Sequence, residues 1–422
     1  MDEATPRVRN AIVVVIDRLG SGFLGPYGNT WIETPAMNQL ASESVLFEHA
    51  IADSNDLTLV YRSYWSGVHA MCRADRPECS LAKLIERVGL QATLLADDEL
   101  LLQHPLAEDF GEHVSLAQST RSRLAASIEE TCFAQFTLAA IERLVDAKEP
   151  GLLWLHAQGM NGPWDAPQEL AERFRDEDDP KAYSDIVPPR FKLEQDHDPD
   201  DVLRVMHAYA AQVSVIDTCL ESLLDAIGQH QLADETLIVV TSPRGYPLGE
   251  HGRIGAGEGD LFGETLNVPL LIRQPDRQSA CMRLDSLAQP TDLYATLATW
   301  FGVRAVAHSS TGHDLLELSK NEQAWSREAA FSVGNCEYAV RTPAWLLHVD
   351  GNAENRESEN RESENSLYAK PDDHWETNEV ADRCGEMPEQ LAGLIDEFAK
   401  LVNQDKLVNL RPLSRELVEG IE

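Results

Sequence analysis

Ala11 to Ile16 is an unbroken apolar run, mostly β-branched, that stops at Asp17-Arg18 and turns at Gly20. A run of that length without alternation fits a strand covered on both faces in a parallel sheet, its C-terminal end carrying Asp17 into a crevice. Open α/β sheets place their ligands there. Beyond it, Leu24 to Asn29 reads as a turn, Pro35 onward as a proline-started helix and Val45-Leu46-Phe47 as a strand. Ser80 to Leu90 is apolar at helical spacing and closed by Gly89, ahead of Gln91 to Asp97 as the next strand, so a further βαβ unit is expected. The alternation continues with a helix over Ser127 to Ala147, a strand over Gly151 to His156 and a long amphipathic helix over Val202 to Gly228. Glu235 to Ser242 then predicts a buried strand ending in the same crevice as Asp17.

From about Arg327 the pattern shortens to strands of alternating character, Ala329 to Val333, Tyr338 to Thr342 and Trp345 to Val349, followed by a terminal helix over Met387 to Val402. Glu354-Asn355-Arg356-Glu357-Ser358 repeats once in full and once in part through Ser366, a polar period with nothing to bury, which predicts a flexible hairpin extension over 354–366. Arg175 to Pro180 and Glu194 to Asp201 are acidic stretches on either side of Val187-Pro188-Pro189 and read as a solvated, disordered excursion. The expected organisation is an α/β domain over residues 1–326 and a smaller α+β subdomain over 327–422.

Composition narrows the class. The chain has 422 residues, enough to bury a large core, and no window of uninterrupted apolar residues long enough to span a membrane. Its 71 acidic residues against 35 basic ones give a net charge of −36, which argues against nucleic acid or an anionic membrane as a partner. An anionic ligand must then be held by local basic residues, the long-range field being screened beyond about 8–10 Å. Met1 to Arg7 shows no apolar secretory region, and seven scattered cysteines suit reduced thiols, so a cytoplasmic location is expected. Cys72 and Cys79 lack the neighbouring His or Cys that would complete a zinc site.

The opening segment, with Asp17, Leu24-Gly25-Pro26-Tyr27-Gly28 and the Pro35 helix, resembles the sulfatase family of the alkaline-phosphatase superfamily. Tyr209 to Asp217, Leu223 to Ile227, Gly249-Glu250-His251-Gly252, Glu264 to Ile272, Gln289 to Leu297 and Leu367 to Asp382 are similar to further family segments, so the resemblance runs through nearly the whole chain. It implies an alkaline-phosphatase-like mixed sheet flanked by helices with a C-terminal α+β subdomain, and sulfuric-ester hydrolysis with a divalent cation, usually calcium, and a formylglycine nucleophile.

The residues at the family's reactive positions differ. Counting back from Ser66-Gly67 puts Leu57 where the formylglycine precursor stands and Tyr61 where an Arg stands; Ser54 to Ser66 contains no Cys. Asn161 replaces a His, and Ala256 a Lys that holds the substrate's anionic group, with Arg253 close by. Of the metal-binding set only Asp17 is kept, and Arg18, Pro243 and Arg244 replace the others. One carboxylate cannot hold calcium or magnesium, for which six or more oxygen ligands are the norm, so no cofactor is expected.

Two guanidinium groups could occupy the space of the ion. Either one of them pairs with Asp17 and fills the void, or Arg18 and Arg244, with Asn161 and His251, bind a sulfate, phosphate or carboxylate. His69, His156 and His251 are conceivable acids or bases, and equally structural histidines. Tyr61 would be a nucleophile only in a site that activates it, and Asp217 reads as structural. The expected function is that of a catalytically inactive sulfatase-family protein binding a sulfated or phosphorylated small molecule or a protein partner. The alternative is an active hydrolase using an unrecognised constellation.

Overall fold

The computed structural model describes residues 10–74, 79–116, 121–147, 149–230, 232–255, 257, 261–303, 311–321, 327–351, 365–404 and 410–420. Ala256, the repeat up to residue 364 and the first nine residues therefore lie outside the described residues.

The strands of the large domain are β1 (Asn10–Ile16), β2 (Val45–Ile51), β3 (Gln91–Ala96), β4 (Glu112–Ser115), β5 (Gly151–Ala157), β6 (Phe191–Lys192), β7 (Thr236–Thr241), β8 (Arg253–Ile254), β9 (Asn267–Val268), β10 (Leu270–Arg273) and β11 (Met282–Ala288). All but β6 and β8, which pair with each other, form one mixed sheet in the order β11-β2-β10-β7-β1-β5-β3-β4, with β9 beside β2. β1 lies between β5 and β7 and is parallel to both. Its apolar run is a central strand, and Ile12 and Val14 serve one core layer while Val13 and Val15 serve the other. That two-sided burial is why the sequence there shows no alternation.

The smaller unit is an antiparallel sheet in the order β12 (Ala330–Val333), β13 (Glu337–Arg341), β14 (Trp345–Asp350), β15 (Asn365–Ala369), packed under the helix Met387–Val402. Side chains join it to the large domain, among them Ser54, whose Oγ donates to Val333 O at 2.6 Å, and Ser332, whose Oγ donates to Ala52 O at 2.6 Å.

Helix boundaries move where side chains cap them. The helix expected from Ser127 begins at Cys132, because Thr131 accepts from Ala134 N. The long helix runs Pro199–Gln229, with Asp198 as its cap and proline in its first turn, so the acidic stretch up to Asp201 is partly helix. The remainder of 175–198 is irregular but placed: Arg175 Nε donates to Pro180 O at 2.7 Å, and β6 pairs with β8. Among the described residues no helix is long and apolar enough to cross a membrane.

Asp217 accepts from Ala36 N at 3.0 Å and Met37 N at 2.9 Å, neutralising the open N-terminus of the helix Pro35–Ser42, whose own preceding residue Thr34 makes no side-chain cap. Asp217→Ala is expected to lower the unfolding free energy by about 1–2 kcal/mol, the cost of losing a cap, which urea denaturation would measure.

Candidate functional site

The site forms where β1, β5 and β7 end. Asp17 N extends the β1–β5 ladder by donating to Ala157 O at 3.0 Å, and Met160 N donates to Asp17 O at 2.9 Å. Gly159 lies between them with φ +53°; a Cβ there would sit 2.6 Å from Ile16 and 2.8 Å from Asp17 O, so the approach requires glycine. Arg18 then takes a left-handed backbone, φ +62°. Tyr209 of the 199–229 helix holds that turn, donating to Arg18 O at 3.1 Å and accepting from Gly20 N at 3.2 Å.

Asp17 is fully buried and paired in bidentate fashion with Arg244: Nε to Oδ1 is 3.0 Å and Nη2 to Oδ2 is 2.9 Å. Arg244 Nη1 donates to Asn55 O at 2.8 Å, so one guanidinium spans the end of β1 and the segment leading into the helix Leu57–Ser66. Burial alone would push the Asp17 carboxyl up, but the charge and hydrogen bonds of Arg244, with a smaller contribution from Arg18, hold it below the usual carboxylate range. Burial opposes the charge on Arg244 too, and Asp17 more than restores it.

Arg18 is in a different state. It is 5% exposed, donates one hydrogen bond, Nη1 to Gly245 O at 3.1 Å, and leaves Nε buried without a partner. Burial, then the neighbouring charges of Arg244 and Arg190, pull its pKa down to about 9 against the opposing pull of Asp17. Arg190 reaches this place from the loop before β6, held by its Nη2 donating to Asn161 Oδ1 at 2.8 Å. Arg244 pairs with the one carboxylate, Arg18 lies in its field, and the charge of Arg190 reaches Arg18, a local excess of positive charge in a strongly acidic chain.

The sequence brought Asp17, Arg18, Arg244 and Asn161 to notice, and the fold brings all four together. His251 belongs elsewhere. Its ring stacks on Phe262 at 3.7 Å, Nδ1 meets Glu264 at 2.9 Å and Nε2 donates to Glu376 O at 3.2 Å, joining the Gly249–Gly252 loop to the turn after β15. His251, Glu264 and Glu376 offer three atoms within 4.8 Å of one another. Glu376 already accepts from Lys370 Nζ and Gly263 N, both at 2.7 Å, so the chain satisfies these groups itself. Burial lowers the His251 pKa, and Glu264 and then Glu376 outweigh it, leaving the value raised. A raised histidine contributes stability fully below its unfolded pKa of about 6.5 and loses it as pH rises through the folded value. His251→Gln is therefore expected to remove a fall in melting temperature that the wild type shows above neutral pH, measured by calorimetry across pH 5–9.

Leu57 is the buried first residue of its helix, and Asp56 caps it by accepting from Thr58 N at 2.8 Å. Tyr61, also buried, hydrogen-bonds His156 Nδ1, and His156 Nε2 stands 3.8 Å from Asp98 Oδ2. That line of groups was not legible, since Tyr61 and His156 are 95 residues apart and meet only through the sheet order. Burial pushes the Tyr61 hydroxyl well above its ordinary value, and pushes Asp97 up to about 6. His69 is a buried histidine whose Nδ1 accepts from Met71 N, away from this crevice against Phe398. Arg253 packs against Gly257.

A divalent cation does not fit. Both oxygens of Asp17 are taken by Arg244, and the residues beside it, Arg18, Pro243 and Arg244, offer cationic or apolar side chains where a metal needs oxygen ligands.

Fold and crevice together define an alkaline-phosphatase-like α/β protein. One similar solved structure is a protein in complex with its substrate D-glucosamine-2-N,6-O-disulfate, with TM-score 0.74 and 18% identity, covering 93% of this chain and 97% of that one. Another is the phosphonate monoester hydrolase of Agrobacterium radiobacter, with TM-score 0.72 and 17% identity, covering 93% and 94%. The sequence profile of the Sulfatase family matches residues 84–303, and the chain belongs to that family. Human iduronate 2-sulfatase is 24% identical over 344 residues, covering 66% of this chain and 62% of that protein. A sulfatase of Formosa agariphila is 28% identical over 153 residues, 36% of this chain and 30% of its own. The chain thus spans less than two thirds of these relatives' length.

Proposed function

We propose that this sulfatase-family protein binds a small sulfated or phosphorylated molecule at its arginine cluster and does not hydrolyse it. The observation that carries the reading is the bidentate Arg244–Asp17 pair, which spends the one retained family carboxylate on a guanidinium. Arg18 supports it from the other side: a buried guanidinium with an unspent Nε, beside Arg190 and Asn161, is a donor set for an oxyanion. Nearby hydroxyls are committed to structure, Ser54 to Val333 O and Ser63 to the Asp53 carboxylate, and Leu57 offers no nucleophile.

The second reading, an active hydrolase with an unrecognised constellation, rests on Tyr61, His156 and Asp98. Against it, Tyr61 is fully buried and its hydroxyl is held in the neutral form. Calorimetric titration with inorganic sulfate and phosphate, paired with assays on an aryl sulfate and an aryl phosphate, tests both. Binding without turnover is expected. Turnover that is lost in Tyr61→Phe would replace this reading with the second.

A further inference from the structure

A second concentration of cationic side chains lies in a cavity of about 210 Å3 between the two sheets. Its walls come from β2 (His49), β11 (Arg283), β13 (Arg341), the turn after β15 (Lys370, His374) and the turn after β1 (Ser21). The hydrogen-bond account of this lining is one-sided. Arg341 is 6% exposed, and its one hydrogen bond is a long one, Nη1 to Trp345 O at 3.5 Å. Among the described residues it has no ion pair, because the carboxylate of Glu376 is taken by Lys370.

Lys370 spends its three donors on Asp373 O, His374 O and Glu376, so it contributes charge and not contacts. Arg283 uses Nε on Glu48 and Nη1 on Pro26 O and leaves Nη2 over. The His49 imidazole lies in the field of Arg341 and His374, opposed by Glu48 and Asp285, that of His374 in the field of Lys370, opposed by Glu376, and among the described residues neither ring makes a hydrogen bond to protein. Glu48 is the one acidic side chain in the lining, and it is already paired with Arg283. A buried guanidinium without acceptors is costly unless something supplies them. Among the described residues the chain supplies Arg341 one long backbone acceptor and no carboxylate hydrogen bond.

We infer that this cavity is a binding site for a compact tetrahedral oxyanion, phosphate or sulfate, free or as the head of a small ester. Arg341 provides the buried bidentate donor, Arg283 Nη2 and the two imidazoles the remaining contacts, and Lys370 the background charge. A planar guanidinium matches two oxygens of such an ion at once. The site is separate from the Arg18 cluster: none of Asp17, Arg18, Asn161, Arg190 or Arg244 lines it.

The test uses full-length protein carrying Arg18→Gln, so that the first cluster cannot report. The imidazole resonances of His49 and His374 are followed by NMR during titration with inorganic phosphate, and in parallel arms with sulfate and with acetate. Both histidines are expected to shift in a saturable way with phosphate and sulfate, and to need at least tenfold more acetate. Adding Arg341→Met should weaken phosphate binding at least tenfold, and Arg283→Gln, at the exposed rim, should weaken it several-fold in a protein whose fold is checked by circular dichroism. Histidine resonances that do not move with phosphate or sulfate, or saturation that survives the rim variant and Arg341→Met unchanged, would overturn the inference. Should Arg341→Met fail to fold, the rim variant and the anion series decide.

Discussion

Replacing Arg244 by alanine is expected to lower the unfolding free energy by about 3–5 kcal/mol, the cost of breaking a buried ion pair from one side. Asp17 is then left at zero exposure without a partner among the described residues for either oxygen, since its side-chain hydrogen bonds there come from that guanidinium. The pH dependence should change sign as well. In the wild type the folded pKa of Asp17 lies below the unfolded value of about 3.9, so its stabilisation is present above that pH and lost as pH falls through the folded value. Without Arg244, burial is left to dominate and raises the folded pKa above the unfolded one. The variant should then gain stability relative to wild type on acidification from neutral pH. Urea denaturation of both proteins from pH 4 to 8 measures the two slopes. A variant as stable as wild type, or with the same slope, would mean that the pair does not replace the metal as described.

The second large effect is a trade between stability and binding at Arg18. Arg18→Met is expected to raise the unfolding free energy by about 1–3 kcal/mol, the penalty of a buried unsatisfied donor. The same variant should lose about 2–5 kcal/mol of affinity for sulfate or phosphate at this site, the usual cost of truncating a buried charge contact. Thermal denaturation and calorimetric titration of the same preparation read both. The combination is diagnostic: a structural arginine would lose stability on removal, whereas one kept for a ligand costs stability until the ligand arrives. A destabilised variant that binds anions as wild type does would contradict the account.

How far the sequence foretold this arrangement depends on the range of the contact. β1 and β7 were legible because strands buried on both faces show unbroken apolar runs, and the helix Met387–Val402 because its apolar stripe has helical period. Asp17, Arg18 and Arg244 stood out as charges closing such strands. Of the two arrangements open for the arginines, the geometry divides the pair: Arg244 fills the void beside Asp17, and Arg18 keeps an unspent donor. The separation of 227 residues between Asp17 and Arg244 hides that choice from any local pattern.

Arg190 was missed because it sits in an acidic, proline-marked stretch whose composition reads as solvated surface. Its one signal was position, directly after Pro188-Pro189, where the backbone before it is stiff. His251 was placed with the arginines by the loop it shares with Arg244, yet its left-handed backbone, φ 49°, carries the ring toward Phe262 and Glu376 instead. The donor-rich cavity at Arg341 was invisible for the same reason as the Tyr61–His156 contact. It is assembled from six separate segments, and no one of them is unusual.

We propose that the Arg244 guanidinium stands where the resembled family would hold a divalent ion. Thermal unfolding with calcium, magnesium, manganese and zinc, each in turn, tests it most directly, on protein purified without chelator and with its metal content measured in parallel. A cation bound at a hundred times its dissociation constant would add about 2.7 kcal/mol of stability. No stabilisation by any of the four and substoichiometric metal in the purified protein are expected. One equivalent of a divalent metal, or stabilisation of that size that disappears in Asp17→Asn, would contradict it.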